Sequence, residues 1–170
     1  MEPQPDDDLS GHETLVRARA LSVMRLLLAV APRVHYPAGD RRTMTINWIT
    51  TRRQLEDVLA EDRLTVDCSQ AVTLIAHVAG ARDLNGNGFT TDGYTGTLLG
   101  GCAHIARERA RCGDLRVFGA GTGHHVAMVI TPGTDPLLFS HGTERGPVEI
   151  FESREARTQP AGGTFLQLPV

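Results

Sequence analysis

The hydrophobic period of this chain changes once, near Gly113, and that change restricts the fold more than any other feature. Before it, apolar residues recur at helical spacing. After it, they fall into short runs divided by turn residues. In the first half, Val16, Ala20, Val23, Met24, Leu27 and Val30 predict a helix over residues 11–31. Ser10-Gly11-His12-Glu13 has the form of its capping box, and Pro32 ends it. Thr51 with Gln54 marks a second helix start, with Leu55, Val58 and Leu59 facing inward. A third run, Ala71, Val72, Leu74, Ile75, Ala76, Val78 and Ala79, ends near Gly80 and is apolar on most sides, as a buried central helix should be. The second half carries five strand candidates, over 114–118, 125–130, 137–141, 148–151 and 164–168. Helices first and an antiparallel sheet of about five strands second define an α+β fold. Residues 1–9, with Pro3, Pro5 and three aspartates, read as a disordered leader, and residues 10–170 as a single domain. Between 83 and 101 lies a glycine-rich loop, long enough to suggest function.

Charge and cysteine content narrow the possible roles. A formal net charge of −3 gives no reason to expect nucleic acid, and no nucleic-acid-reading motif occurs. Arginines cluster at 17–25, 41–42, 52–53 and 107–111, read mainly as solvated faces. The acidic start is the opposite of a secretory signal. The longest apolar stretch, residues 21–31, is interrupted by Arg25 and too short to span a bilayer. Three cysteines, an odd number, argue against a disulfide scaffold; Cys102 and Cys112 could pair, but three reduced thiols is the simpler reading.

One of those thiols stands out. Cys68 lies in Asp67-Cys68-Ser69-Gln70, in the first turn of the third helix. A helix N-terminus offers unpaired N–H groups and the positive end of a dipole, and both favour thiolate over thiol. Downstream, His124-His125 opens one strand and His141 closes the next. Together they suggest a nucleophile, a base and an orienting group. Adjacent strand residues point to opposite faces, so only one of His124 and His125 can meet Cys68, and periodicity does not choose between them. Metal readings are weaker. Cys102, His104 and Cys112 could supply three zinc ligands but lack paired spacing. Asp83, Asn85, Asn87 and Gly88 copy half a calcium loop, whose twelfth position is Tyr94 instead of glutamate. No metal or cofactor is expected, and the absence of Gly-x-Ser-x-Gly leaves a serine hydrolase without its elbow.

Asp67-Cys68-Ser69, Gly113-Asp114-Leu115, Gly123-His124-His125-Val126-Ala127 and Ser140-His141-Gly142, in that order, resemble the NlpC-type cysteine peptidases. These are papain-like peptidoglycan hydrolases related to the CHAP amidases, and the match spans about residues 34–168. His35-Tyr36, the stretch 93–99 and the segment 140–147 look like versions found in actinobacterial phage lysins and tail-associated hydrolases. The resemblance implies Cys68 as nucleophile, His125 as general base and His141 as the residue that orients it. It implies Tyr36 at the oxyanion site, and Asp67 in contact with substrate. Ser69, Gln70 and Tyr94 join Asp67 as substrate-binding candidates, with the loop around Tyr94 as a substrate lip. Gln70 replaces the usual glycine, which bears on substrate preference. The implied substrate is the peptide stem of bacterial cell wall, attacked by a monomer that lies in the host cytoplasm or in a virion before release. An amidase for the sugar–L-Ala bond, or a non-catalytic wall-binding or virion module, are the alternatives.

Overall fold

A computed structural model describes residues 5–37, 49–61, 64–89, 93–143 and 145–170, with side chains from residue 11 onward. The fold is α+β, with helices leading and an antiparallel sheet in the C-terminal half. Helix α1 (Pro5–Ala29) buries Val16, Ala20, Val23, Met24 and Leu27 against α3 (Cys68–Ala79). It begins earlier than its capping pattern suggested, so residues 5–9, expected in a disordered leader, form its first turns. Proline suits such a start because the first helical N–H groups have no partner within the helix. Ser10 therefore lies inside the helix, and the Glu13 carboxylate pairs with Arg17 and Arg111. The 3-10 turn Ala31–Arg33 follows, with Pro32 inside it. The second half of the turn expected after His35, and the pair Arg41-Arg42, lie outside the described residues.

Helix α2 (Arg52–Ala60) starts where expected: the Thr51 hydroxyl accepts the Gln54 N–H, and Leu55, Val58 and Leu59 are buried. Helix α3 is buried around most of its circumference and ends at Gly80, whose φ of 86° is a left-handed conformation that favours glycine. It is held between α1 and the sheet. A short helix, α4 (Thr95–Gly101), occupies the end of the stretch read as a loop. Leu98 anchors it, and the Thr97 hydroxyl accepts the Tyr94 N–H at 2.9 Å.

The sheet has six strands among the described residues, ordered β3-β8-β4-β5-β6-β7 and antiparallel throughout. They are β3 (His104–Ile105), β4 (Leu115–Phe118), β5 (His125–Thr131), β6 (Leu137–Ser140), β7 (Val148–Phe151) and β8 (Gly163–Leu166). Five match the strand candidates. The sixth, β3, is two residues long and too short to show alternation. Along β5, Val126, Met128 and Ile130 enter the main core with the helices. Ala127 and Val129 join Phe118, Leu138 and Phe165 in a second cluster on the other face. With both faces covered, β5 reads as a nearly continuous apolar run.

Two further features bring the site together. A parallel pair, β1 (Val34–His35) and β2 (Leu64–Thr65), sets Tyr36 beside the turn that leads to Cys68, and the Val66 N–H donates to the His35 carbonyl at 3.0 Å. A one-turn helix, α5 (Glu152–Glu155), follows β7. Its buried Glu152 pairs with Arg116 at 2.7 Å and with Arg107, and the Ser153 hydroxyl donates to Asp135 at 2.7 Å. At the base of the domain, buried Asp114 takes the Arg17 guanidinium at 2.8 Å, the Arg111 N–H at 2.8 Å and the Leu168 N–H at 2.9 Å. Arg17 is thus an internal tie between α1 and β4, not part of a solvated face.

Candidate active site

Cys68 is the first residue of α3, and its position is set by the residues on either side. The Asp67 carboxylate caps the helix by accepting the Gln70 N–H at 2.8 Å, while the Gln70 side-chain oxygen accepts the Asp67 N–H at 3.1 Å. This reciprocal box satisfies two otherwise unpaired donors and fixes the angle at which the helix begins. Ser69 donates to Asp67 at 2.7 Å and reaches the Gly93 carbonyl at 3.3 Å, which ties the glycine-rich loop to the cysteine turn. Gln70 and Ser69 are both buried. Their expected place in substrate binding is therefore corrected: they build the helix start and face inward. Tyr94, next to Gly93, is exposed and free to meet a ligand.

His125 opens β5 and is the histidine of the pair that faces Cys68. It is buried, and its ring lies within hydrogen-bond reach of the Cys68 thiol. His124 is exposed, and its backbone N–H donates to the Phe118 carbonyl. The other side of the His125 ring is occupied. Nε2 lies 2.9 Å from the Ser140 hydroxyl and 3.2 Å from the Glu155 carboxylate. Ser140 in turn donates to Glu155 at 3.1 Å, as does the Gln159 amide at 3.1 Å. Since Nε2 is taken, Nδ1 is the nitrogen that remains for the thiol. Burial pushes the His125 imidazolium down, but hydrogen bonds and charge from Cys68 and Glu155 outweigh it and raise the pKa to about 9. The hydrogen bond from His125 in turn holds the Glu155 carboxyl below its usual range, against the effect of burial. Phe118 stacks near the His125 ring, with centroids 6.0 Å apart.

Tyr36 lies beside Cys68. Its hydroxyl is within hydrogen-bond reach of both the Cys68 side chain and the Cys68 backbone. Burial, followed by the charges of Cys68 and Asp67, pushes the phenol up to about 12, so it stays protonated and able to donate at any ordinary working pH.

His141 requires correction. It was expected to accept the N–H of the base and orient it, but that place belongs to Ser140 and Glu155. The His141 Nε2 faces the Val66 carbonyl at 2.9 Å and the His35 carbonyl at 3.4 Å, and its ring meets Tyr36 edge-on with centroids 5.4 Å apart. It ties the end of β6 to the two backbone segments that deliver Tyr36 and Cys68. Burial lowers its pKa.

Glu155 and Ser140 are the site residues that sequence reasoning missed. A signal for Ser140 was present: it shares the phase of Leu138, while His141 shares that of Phe139. For Glu155 only the three-residue step from Glu152 hinted at two inward carboxylates on a short helix.

The remaining metal candidates have other partners. All three cysteines are free thiols, and burial pushes Cys102 up to about 12. The Asp83 carboxylate accepts backbone N–H groups from Asn85, Asn87 and Gly88, as an Asx turn does. Among the described residues no cluster of ligands suited to a metal ion occurs, and no helix is long and apolar enough to cross a membrane. No protein-family model matches the chain, and no curated protein matches it closely enough to count as a relative.

Proposed function

We propose that this chain is a papain-like cysteine hydrolase that cleaves amide bonds in the peptide stems of bacterial peptidoglycan. One observation carries the chemical half of this reading: a thiol at a helix N-terminus lies within reach of a buried histidine, whose far nitrogen is held by a carboxylate. Such an arrangement serves a thiolate nucleophile. The resemblance to NlpC-type enzymes supports the substrate half, and its likeness to actinobacterial phage lysins supports a lysin or virion-associated role.

In this mechanism the Cys68 thiolate attacks the scissile carbonyl carbon. The negative charge that develops on oxygen is met by the Cys68 N–H and the Tyr36 hydroxyl, and one such donor contributes roughly 10²–10³-fold in rate. Imidazolium His125 gives its proton to the leaving nitrogen as the C–N bond breaks, leaving a thioester on Cys68. Neutral His125 then takes a proton from water, whose oxygen attacks the thioester and releases the acid. Glu155 stabilises the imidazolium form and fixes the ring so that Nδ1 points at sulfur. Ser140 and Gln159 hold Glu155 in turn.

The test is digestion of purified peptidoglycan by the native chain and by Cys68→Ala, with new end groups identified by mass spectrometry. New amino termini within the stem, lost in Cys68→Ala, are the expected result. Release at the sugar–L-Ala amide would assign an amidase instead. No digestion, with slow alkylation of Cys68 by iodoacetamide at neutral pH, would reduce the chain to a non-catalytic wall-binding or virion module.

A further inference from the structure

The carboxylate behind His125 sits on an element with little of its own to hold it in place. Helix α5 is four residues long and has no side-chain cap, and an isolated turn of that length is unstable in water. Neighbouring groups supply what it lacks. The Glu152 N–H donates to the Pro136 carbonyl at 2.9 Å, and Ser153 bonds to Asp135 through both its N–H and its hydroxyl. The Glu152 carboxylate, on a residue only 2 % exposed, accepts from Arg116 Nε at 2.7 Å and from Arg107 at 3.0 Å. The Arg107 side chain is 42 % exposed and that of Arg116 is 12 % exposed, so Arg116 is the inner anchor. Three residues on, Glu155 projects from the same side of the turn towards His125.

The same guanidinium reaches His125 by a second route. In the β4–β5 register Phe118 stands opposite His125 and Arg116 opposite Ala127, so Arg116, Phe118 and His125 share one face of the sheet. The Arg116 guanidinium lies over the Phe118 ring, 4.5 Å from its centroid, and 5.2 Å from that of Phe165. Phe118 in turn lies at 24° to the His125 ring, with centroids 6.0 Å apart. A guanidinium can donate to a carboxylate in its plane while its faces cover aromatic rings, which a lysine ammonium cannot do. We propose that Arg116 is a positioning residue for the base: through Glu152 it seats the helix that brings Glu155 to Nε2, and through Phe118 it backs the imidazole ring. Cys68 on α3 and Glu155 on α5 are the ionisable groups bonded to that ring, and His141 past β6 faces it more weakly. Arg116 acts on the second of these contacts through α5. The assignment rests on the hydrolase reading for the role of His125, but the geometry it claims can be read without turnover.

The His125 ring is titrated by NMR in the full native chain and in Arg116→Met/Glu152→Gln. Both charges of the pair are removed together, so no buried carboxylate is left alone and the net charge near the ring is unchanged. Only the positioning of Glu155 and Phe118 is altered. The midpoint of the ring should fall by roughly one pH unit or more as its contact with Glu155 loosens. Arg116→Lys keeps the charge but loses the fork and the flat face, and its midpoint should fall in the same direction by less. Arg17→Met breaks the buried pair with Asp114 at the base of the domain. It should lower the Tm and leave the His125 midpoint fixed. A midpoint that stays at the native value in the double variant overturns the proposal, as does one moved equally far by Arg17→Met. Should the double variant not fold, an unmoved midpoint in Arg116→Lys has the same force. On peptidoglycan, the double variant should lower kcat by roughly 10–100-fold with KM little changed. The two readings fail separately. A lowered midpoint in a chain whose native form never digests peptidoglycan keeps the positioning role and removes the hydrolase. Digestion with an unmoved midpoint does the reverse.

Discussion

His125 and His141 stand at the ends of neighbouring strands, both buried, and their surroundings push them in opposite directions. At the start of β5, His125 has a thiol on one side and a carboxylate on the other, and its proton is held up to about pH 9. Just past β6, His141 is set among backbone carbonyls, and burial lowers its proton affinity. Burial acts the same way on both rings. The difference lies in formal negative charge: Cys68 and Glu155 can carry it, whereas carbonyl dipoles cannot. One ring is thereby equipped to move protons and the other to hold backbone in place.

The contrast has a sign in pH. The folded-state pKa of His125 lies above its ordinary 6.5, so the stability it contributes is fully present below about 6.5 and is lost as pH rises through about 9. His141 and Glu155 are both shifted down. Their contributions are present above the ordinary values of 6.5 and 4.5 respectively, and are lost as pH falls through the lowered ones. Alkali should therefore loosen the β5 end and acid the β6 end. Chemical-denaturant midpoints measured across pH in the native chain and in His141→Phe should show the acid-side loss that sets in below 6.5 vanish with the ring, while the Glu155 loss at lower pH remains.

Substitutions break the comparison with graded effects. Cys68→Ala removes the proposed nucleophile and should lower peptidoglycan hydrolysis by at least ~10⁴-fold, with the thermal midpoint retained. Glu155→Gln keeps the shape but removes the charge from behind the base. A loss of about 10²-fold in kcat/KM is expected, equivalent to ~2.7 kcal/mol, together with a shift of the alkaline limb of the pH–rate profile to lower pH. An unchanged limb would show that the carboxylate does not act on His125. His141→Phe leaves the Val66 carbonyl without the His141 donor, at a cost of roughly 1–3 kcal/mol. Its Tm should drop by roughly 2–4 °C per kcal/mol, and kcat should fall because Tyr36 and Cys68 lose their common tie, while the position of the alkaline limb stays fixed. Asp67→Ala removes the cap of α3 and should cost about 1 kcal/mol, read from denaturant unfolding.

The same two strands show how far the sequence could be read. Helical spacing located the inward faces of α1, α2 and α3, because a period of 3.6 over several turns is hard to mistake. Alternation and turn residues located five strands for a similar reason. The short pieces were not legible. Strands β1, β2 and β3 have two residues each, and two residues carry no period. The orienting group was misassigned for a physical reason: the register between β5 and β6 shifts at an irregularity between Val129 and Thr131. A shift of one residue exchanges the two faces of a strand, and no local residue pattern announced it. Beyond the shift Ala127 stands opposite Ser140, so Ser140 shares a face with His125, and His141 turns to the helices. Cys68 was legible because a helix start sets it; His125 and Tyr36 came from the resemblance, since periodicity left His124 and His125 open and the two-residue β1 before Tyr36 carries no period.

The pairing of Cys68 with His125 is tested most directly by titrating the His125 ring by NMR in the native chain and in Cys68→Ala. The native ring should hold its proton to about pH 9, and loss of the sulfur should move its titration clearly lower. A His125 that titrates at the ordinary imidazole value of 6.5, or that is indifferent to Cys68, would contradict the account.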